Sequence, residues 1–573
     1  MQKKLYVLLV SLCFLTAGLC TQALAQELVI DDLWGTGQYL SAKIVEDTAG
    51  AGHDAWVAGT RVYVLKRGGI YPWNQSITLP TGRTLHIKAE AGSGSRPCIF
   101  LYDASGSDRP PGNMVSMGSN SNLILNDIIM SGYDEENRAE LDGLQGGLIA
   151  AAAAASNFNI YIDNCVLSST NGNHIRTDGK PITISVTNTW FTDMGFNGRS
   201  NFGAGKGLDV RDQDVDTLRI ENCTFVNVQD RIIRHYQANK GPIRNLFFNH
   251  NTIVNAMSFH GMLSLGRVDS TGSGKLEIKN NLLIDPFALG ADTSYIRQAE
   301  FGDHGELDPV NNLSRMTWII ANPNNAANWD ISNNYYAISD SGQAMLTLPL
   351  PWGPYYQNEG PPLTWGINKR LAALGKDTTQ TFKKITIIPQ NIPPLMTKMI
   401  RWVYTPRDQE GCGKTKGGNN DPNFVQDSAG YWKYDYNRRS VFWYDDNLDC
   451  SFHASEQPVS TDGQVVGSTQ WSFLGVVAVE KQDLKPGVFA LEQNYPNPFN
   501  PTTQFKYTVG STGLVSIKIY DILGREVATL VNEVKQPGTY PAQWNAEGFA
   551  SGVYFYKMTT GSFSDIKKMV LMK

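Results

Sequence analysis

The chain of 573 residues carries only 18% charged side chains but 54 glycines and 27 prolines, which argues against a helical protein and for many strands joined by tight turns. Its net charge of −5, lowered to −7 when Lys3 and Lys4 leave with the leader described next, gives no basis for a nucleic-acid partner.

At the start, Lys3 and Lys4 precede an apolar run from Leu5 to Leu19, and Ala23-Leu24-Ala25 has the small-x-small form of a cleavage site. A signal peptide is therefore expected over 1–25, with Gln26 beginning the mature chain. The apolar run is shorter than the roughly 20 residues of a spanning helix, and no later segment is long and apolar enough, so no transmembrane segment is expected in the mature protein.

From residue 26 to about 473 the pattern is repetitive. The stretch RVYVLKRGGIYPWNQSITLPTGRTLHIKAEAGSGSRPCIFL (61–101) alternates as short strands do. A phrase of alternating strand, asparagine and apolar strand then recurs around Asn126, Asn164, Asn188, Asn222, Asn251, Asn281 and Asn334, at intervals of 38, 24, 34, 29, 30 and 53 residues. Such recurrence implies a solenoid, because each unit buries its apolar face only against its neighbours. Asparagine suits the turn of each coil: it tolerates left-handed backbone angles, and its amide reaches the next coil about 4.8 Å away.

In these residues, and in STDGQVVGSTQW (460–471), the chain resembles the right-handed parallel β-helix of the pectate-lyase-like superfamily. The expected fold is all-β, a right-handed parallel β-helix over 26–473 that is loop-rich from about 345, followed by a small C-terminal β-sandwich.

With the asparagine between the second and third strands of a coil, the segment upstream is the first strand, whose outer face is the substrate groove in the families the chain resembles. NHIRTD, GLDVRDQD, DRIIRHY and MLSLGRV each hold an arginine there: Arg176, Arg211, Arg234 and Arg267. If Ile175, Val210 and Ile233 face the core, alternation turns Arg176, Arg211 and Arg234 outward as a row, with Arg267 near the same column. Stacked guanidinium forks suit a repeated carboxylate or sulfate, so an acidic polysaccharide such as pectin or alginate is the expected partner. Two other readings stay open. The arginines also fit a solvated ion-pair face with Asp209, Asp212 and Asp230, and those three aspartates also fit a Ca2+ site, since that hard ion prefers carboxylate oxygen.

The resemblance implies β-elimination on a uronate polymer, in which a cation stabilises the charge developing on the carboxylate and a basic side chain removes the adjacent proton. The base it implies is an arginine or lysine over the groove, here Arg234, mid-column beside the Asp230 coil, with Lys206 as the alternative; His235 and His174 stand beside groove residues as proton donor or sugar contact. The arginine-proline motif of pectate lyases is not present, nor is the paired-aspartate and GHG set of polygalacturonases. Two classes remain: a polysaccharide lyase, and a non-catalytic glycan-binding or structural surface protein. The second draws on aromatic side chains between 348 and 444, including Trp352, Trp365, Trp402 and Trp432, which stack on sugars or pack a core.

Of seven cysteines, Cys13 and Cys20 fall in the leader, Cys165 and Cys223 follow repeat asparagines as buried apolar side chains, and Cys412 with Cys450 forms a disulfide candidate in an exported chain. After a linker over 474–490 comes LEQNYPNPFNPTT (491–503), then IYDILGR, GTYPAQW, SGVYFY and KKMVLMK on short alternating strands. Over 491–573 the chain resembles the type A C-terminal sorting domain of the type IX secretion system. That resemblance implies passage across the outer membrane through the type IX machinery, with the mature protein released or held on the cell surface.

Overall fold

The computed structural model describes residues 25–102, 112–134, 147–170, 172–194, 205–211, 213–228, 231–235, 241–256, 262–265, 267–269, 271–286, 329–339, 381–390, 424–426, 432–434, 450–476, 489–510, 513–522, 525–535, 538–561 and 563–572. The body of the predicted signal peptide and the Cys412–Cys450 pairing lie outside these residues, as does most of the aromatic segment. The chain divides into two compact units, Met1–Val477 and Ala478–Lys573.

Three parallel sheets wind the first unit into a β-helix. One coil shows the order: Asn173–Thr177 joins a groove sheet of short strands, Lys180–Thr187 a flank sheet, and Trp190–Met194 a back sheet. Each strand pairs in register with its counterpart one coil on, Ile175 with Leu208, Ile184 with Leu218 and Phe191 with Phe225. Alternation sends these residues inward, where all are fully buried. Phe191 and Phe225 stack at 4.6 Å. Each such side chain contributes about 1.5–3 kcal/mol on burial, so no coil is stable apart from its neighbours.

Between flank and back sheets one residue per coil adopts the left-handed conformation: Asp127, Asn164, Asn188, Asn222, His250, Asn280 and Asn333, with φ between 52° and 59°. Asn164 donates its amide to Asp127 Oδ1 (2.9 Å), and Asn222 donates to Asn188 Oδ1. The expected asparagine column is thus two adjacent ladders. In four coils the left-handed residue is the neighbour of the predicted one: Asp127 for Asn126, His250 for Asn251, Asn280 for Asn281, Asn333 for Asn334.

Asn251, Asn281 and Asn334 form the second ladder, inside the turn and at most 1% exposed. Asn281 Oδ1 accepts from the Asn251 N–H (2.8 Å), while Asn281 Nδ2 donates to Asn334 Oδ1 (2.8 Å) and Phe248 O (2.9 Å). Asn281→Leu fills the space but strands those partners in a dry turn, and is expected to cost about 2 kcal/mol, read as a lowered urea midpoint of the first unit.

A helix, Leu40–Ala49, was not anticipated from the sequence. Leu40 and Ile44, four apart and therefore on one face, are buried against the opening coils. Asp47 of this helix binds the Arg61 guanidinium and accepts from the Tyr63 hydroxyl (3.0 Å), tying the helix to the strand Arg61–Leu65. A solenoid end needs such a cap.

The second unit is an antiparallel sandwich. One sheet holds Ala490–Leu491, Thr502–Val509 and Gly538–Asn545, and the other holds Glu526–Lys535, Gly513–Asp521, Gly552–Thr560 and Phe563–Leu571. Its motif residues close specific contacts. Asn497 Oδ1 accepts from the Val570 N–H (2.8 Å) and the Phe499 N–H donates to Val570 O (2.9 Å), so the NPFNP entry holds the terminal strand. Asp521 accepts from the Arg525 backbone (3.0 Å) and from its Nε (2.8 Å), closing the IYDILGR turn. Phe505 and Tyr556 meet in the core at 4.2 Å.

Candidate functional site

The outer face of the groove sheet carries one column in strict register: Ser116, Ala150, Arg176, Asp209 and Arg234. Behind it Val115, Ile149, Ile175, Leu208 and Ile233 are buried in the core. The expected row of arginines is therefore interrupted. Arg176 and Arg234 are in line, but Asp209 stands between them where Arg211 was expected. Leu208, not Val210, aligns with Ile175 and Ile233, and both candidates are fully buried. A slip of two residues preserves alternation, so periodicity alone does not choose between them.

The column is consequently one of mixed charge. Arg234 Nη1 lies 3.0 Å from Asp209 Oδ2, with the side chains 12% and 1% exposed. Arg211 lies beyond the strand end, in a left-handed conformation at φ 43°. Its Nε meets Asp178 Oδ1 at 3.0 Å, while Arg176 Nε meets Asp178 Oδ2 at 3.3 Å. Asp178, which the sequence reading passed over, thus bridges the two arginines. Its signal was its place two residues after Arg176, one past the end of the strand Asn173–Thr177. Arg176 and Arg211 remain 44% and 32% exposed.

The other nominated residues occupy different surroundings. His174 is fully buried, edge-on to Phe191 at 5.7 Å, rather than on the groove. Its neutral form is strongly favoured, because burial pulls the imidazole down to about 3. His235 is also buried: Nε2 donates toward Gly241 O (2.8 Å) and Gln213 O (3.2 Å), and Nδ1 faces the Arg267 N–H at 3.4 Å. Those contacts make it a tie between coils. Lys206 is 6% exposed at the start of its strand, aligned with Asn173, and Arg267 is exposed beyond the strand Leu263–Leu265.

Of the three aspartates nominated for a calcium site, Asp209 alone lies among the described residues. Asp209 is engaged by Arg234, Asp212 and Asp230 lie outside the described residues, and no group of three acidic, histidine or cysteine side chains converges among those described. Cys165 and Cys223 are buried beneath the turn ladder. Burial pushes the Cys165 thiol up to about 12 and raises that of Cys223 as well, so both are inert apolar side chains.

Comparison with known proteins identifies one region. Residues 493–572 match the family model described as the secretion system C-terminal sorting domain. No curated protein matches the chain. The match covers the antiparallel sandwich and leaves the β-helix to be read from its own geometry.

Proposed function

Given an exported chain that type IX secretion delivers to the cell surface or beyond, we propose that its β-helix binds an acidic polysaccharide along the groove sheet and does not cleave it through Arg234 or His235. The observation that carries this reading is the exposed Arg176 and half-buried Arg211 joined by Asp178, at one end of a charged column repeating at the coil spacing. Two guanidinium groups sharing a single carboxylate retain net positive charge, which a polymer carboxylate or sulfate complements. Against elimination, Arg234 is a strong donor already held by a carboxylate, and His235 Nε2 points at backbone carbonyls. Neither presents a basic atom to a substrate proton.

The test is retention of the mature protein on pectate, alginate and sulfated glycosaminoglycans, with and without calcium, while the absorbance of an unsaturated product is followed. Retention on at least one anionic polymer without product is expected. Arg176→Ala should weaken it about tenfold, as loss of an exposed charge-assisted contact does. Product formation would make the chain a lyase, and retention on none would remove the glycan reading.

A further inference from the structure

Residues 459–471 run lengthwise across the turn ladder instead of around a coil. At one end Val459 O accepts from Asn333 Nδ2 (3.0 Å), and the Val459 N–H donates to the Tyr335 hydroxyl (3.2 Å). Thr461 exchanges two bonds with Asn280: its N–H donates to Oδ1 and its hydroxyl accepts from Nδ2, each at 3.0 Å. His250, the ladder residue of the preceding coil, lies 2.8 Å from Val465 O and 2.9 Å from Asp462 Oδ2. The Thr469 hydroxyl accepts from Asn222 Nδ2 (2.8 Å), and Gln470 Nε2 donates to Asn188 O (2.8 Å). One short segment therefore bonds, in order, to the coils of Asn333, Asn280, His250, Asn222 and Asn188.

Apolar contacts fix the same segment to the back sheet. Val466 and Trp471, 4% and 1% exposed, are buried in one cluster with Val226, Val254 and Leu282. Trp471 Nε1 donates to Thr224 Oγ1 (3.2 Å). Gly467 marks the closest approach: its φ is +81°, and a Cβ there would meet Thr252 Oγ1 at 2.6 Å and Leu282 Cβ at 2.8 Å. Glycine is required at this point for both conformation and space.

In a plain solenoid each coil touches only its neighbours, so the free end peels coil by coil. Bonds from one segment to five coils add coupling between coils that do not touch. We propose that 459–471 is a longitudinal clasp that makes the coils from Asn188 to Asn333 open as a single unit. The clasp is independent of what the groove binds, and it protects the C-terminal end of the solenoid.

Hydrogen exchange on the full chain tests this. In the wild type the flank strands Lys180–Thr187, Val215–Glu221, Ile243–Asn249, Leu276–Lys279 and Trp329–Ser332 should exchange at one common rate. Gly467→Val, which cannot seat the clasp, should raise exchange at Trp329–Ser332 by about 100-fold, with a gradient falling toward Val215–Glu221 and no change at Arg61–Leu65. Gly463→Ala is the control: φ is +78° but no atom lies within 4 Å, so the strain stays in the exposed turn and the common rate should persist. If Gly467→Val fails to fold, the milder pair Thr461→Ala and Thr469→Ala should give the same gradient at smaller amplitude. A gradient already present in the wild type would overturn the proposal, as would a rise that is equal in the opening coils.

Discussion

Replacing Arg234 with alanine is expected to destabilise the β-helix unit by about 3–5 kcal/mol, the largest effect of any groove substitution. The reason is Asp209, whose carboxylate is 1% exposed and bonded to Arg234 at 3.0 Å. Its other oxygen, Oδ1, is buried with no hydrogen-bond partner among the described residues, so removing the guanidinium leaves a buried charge with little to compensate it. Removing both partners should be far milder: Arg234→Met combined with Asp209→Leu is expected to recover most of the loss, because an apolar pair needs no compensation. Urea unfolding of the wild type, Arg234→Met, Asp209→Leu and the double variant measures the coupling directly. Equal losses in the single and double variants would show that Arg234 acts through packing rather than through Asp209.

The second large effect is a dependence on pH. His174 is fully buried, and no well-aligned hydrogen bond closes on either ring nitrogen. Burial holds its imidazole down to about 3, opposed only weakly by the backbone of Thr192 and Leu167. In the unfolded chain the ring takes up a proton near pH 6.5, whereas in the folded protein it does so only near pH 3. The unfolded state therefore binds more protons across this window. The stability contribution is complete above about pH 6.5 and is lost as pH falls toward about 3. By pH 4 the loss should reach about 3 kcal/mol, at 1.36 kcal/mol per unit. His174→Leu breaks no hydrogen bond of good geometry and should flatten that part of the profile, so that the gap between the two proteins changes by about this amount between pH 7 and pH 4. Parallel profiles would show that the ring is already solvated.

What the sequence revealed and what it concealed follow from where each structural choice is made. The solenoid was legible because coils with a common core must repeat the same alternation and the same turn residue. The sorting domain was legible because its motif residues meet each other, as Asp521 meets Arg525 and Asn497 meets Val570. The ladder position was legible only to within one residue. In FFNHNTIV and LEIKNNLLI two polar residues compete for the left-handed site, and the more buried asparagine takes the inner ladder instead.

The groove column was half legible. Strand alternation turned Arg176 and Arg234 outward, but with Leu208 and Val210 both buried, a two-residue offset moved Asp209 into the column and Arg211 out of it. His174 departs from alternation: two residues before the outward-facing Arg176 in the same strand, its ring is nonetheless buried edge-on to Phe191 of the back sheet. The segment 460–471 was legible as part of the β-helix resemblance, but its course across five coils was not, since Thr469 and Asn222 bond across 247 positions of sequence.

The proposed function rests on Arg176 and Arg211 engaging an anionic polymer. A calorimetric titration of the full chain with a defined-length oligouronate at low and high salt measures it most directly. The geometry predicts saturable binding that weakens as salt rises and is lost in the double variant Arg176→Ala, Arg211→Ala, with the unfolding midpoint unchanged. Equal binding by the double variant, or binding indifferent to salt, would contradict it.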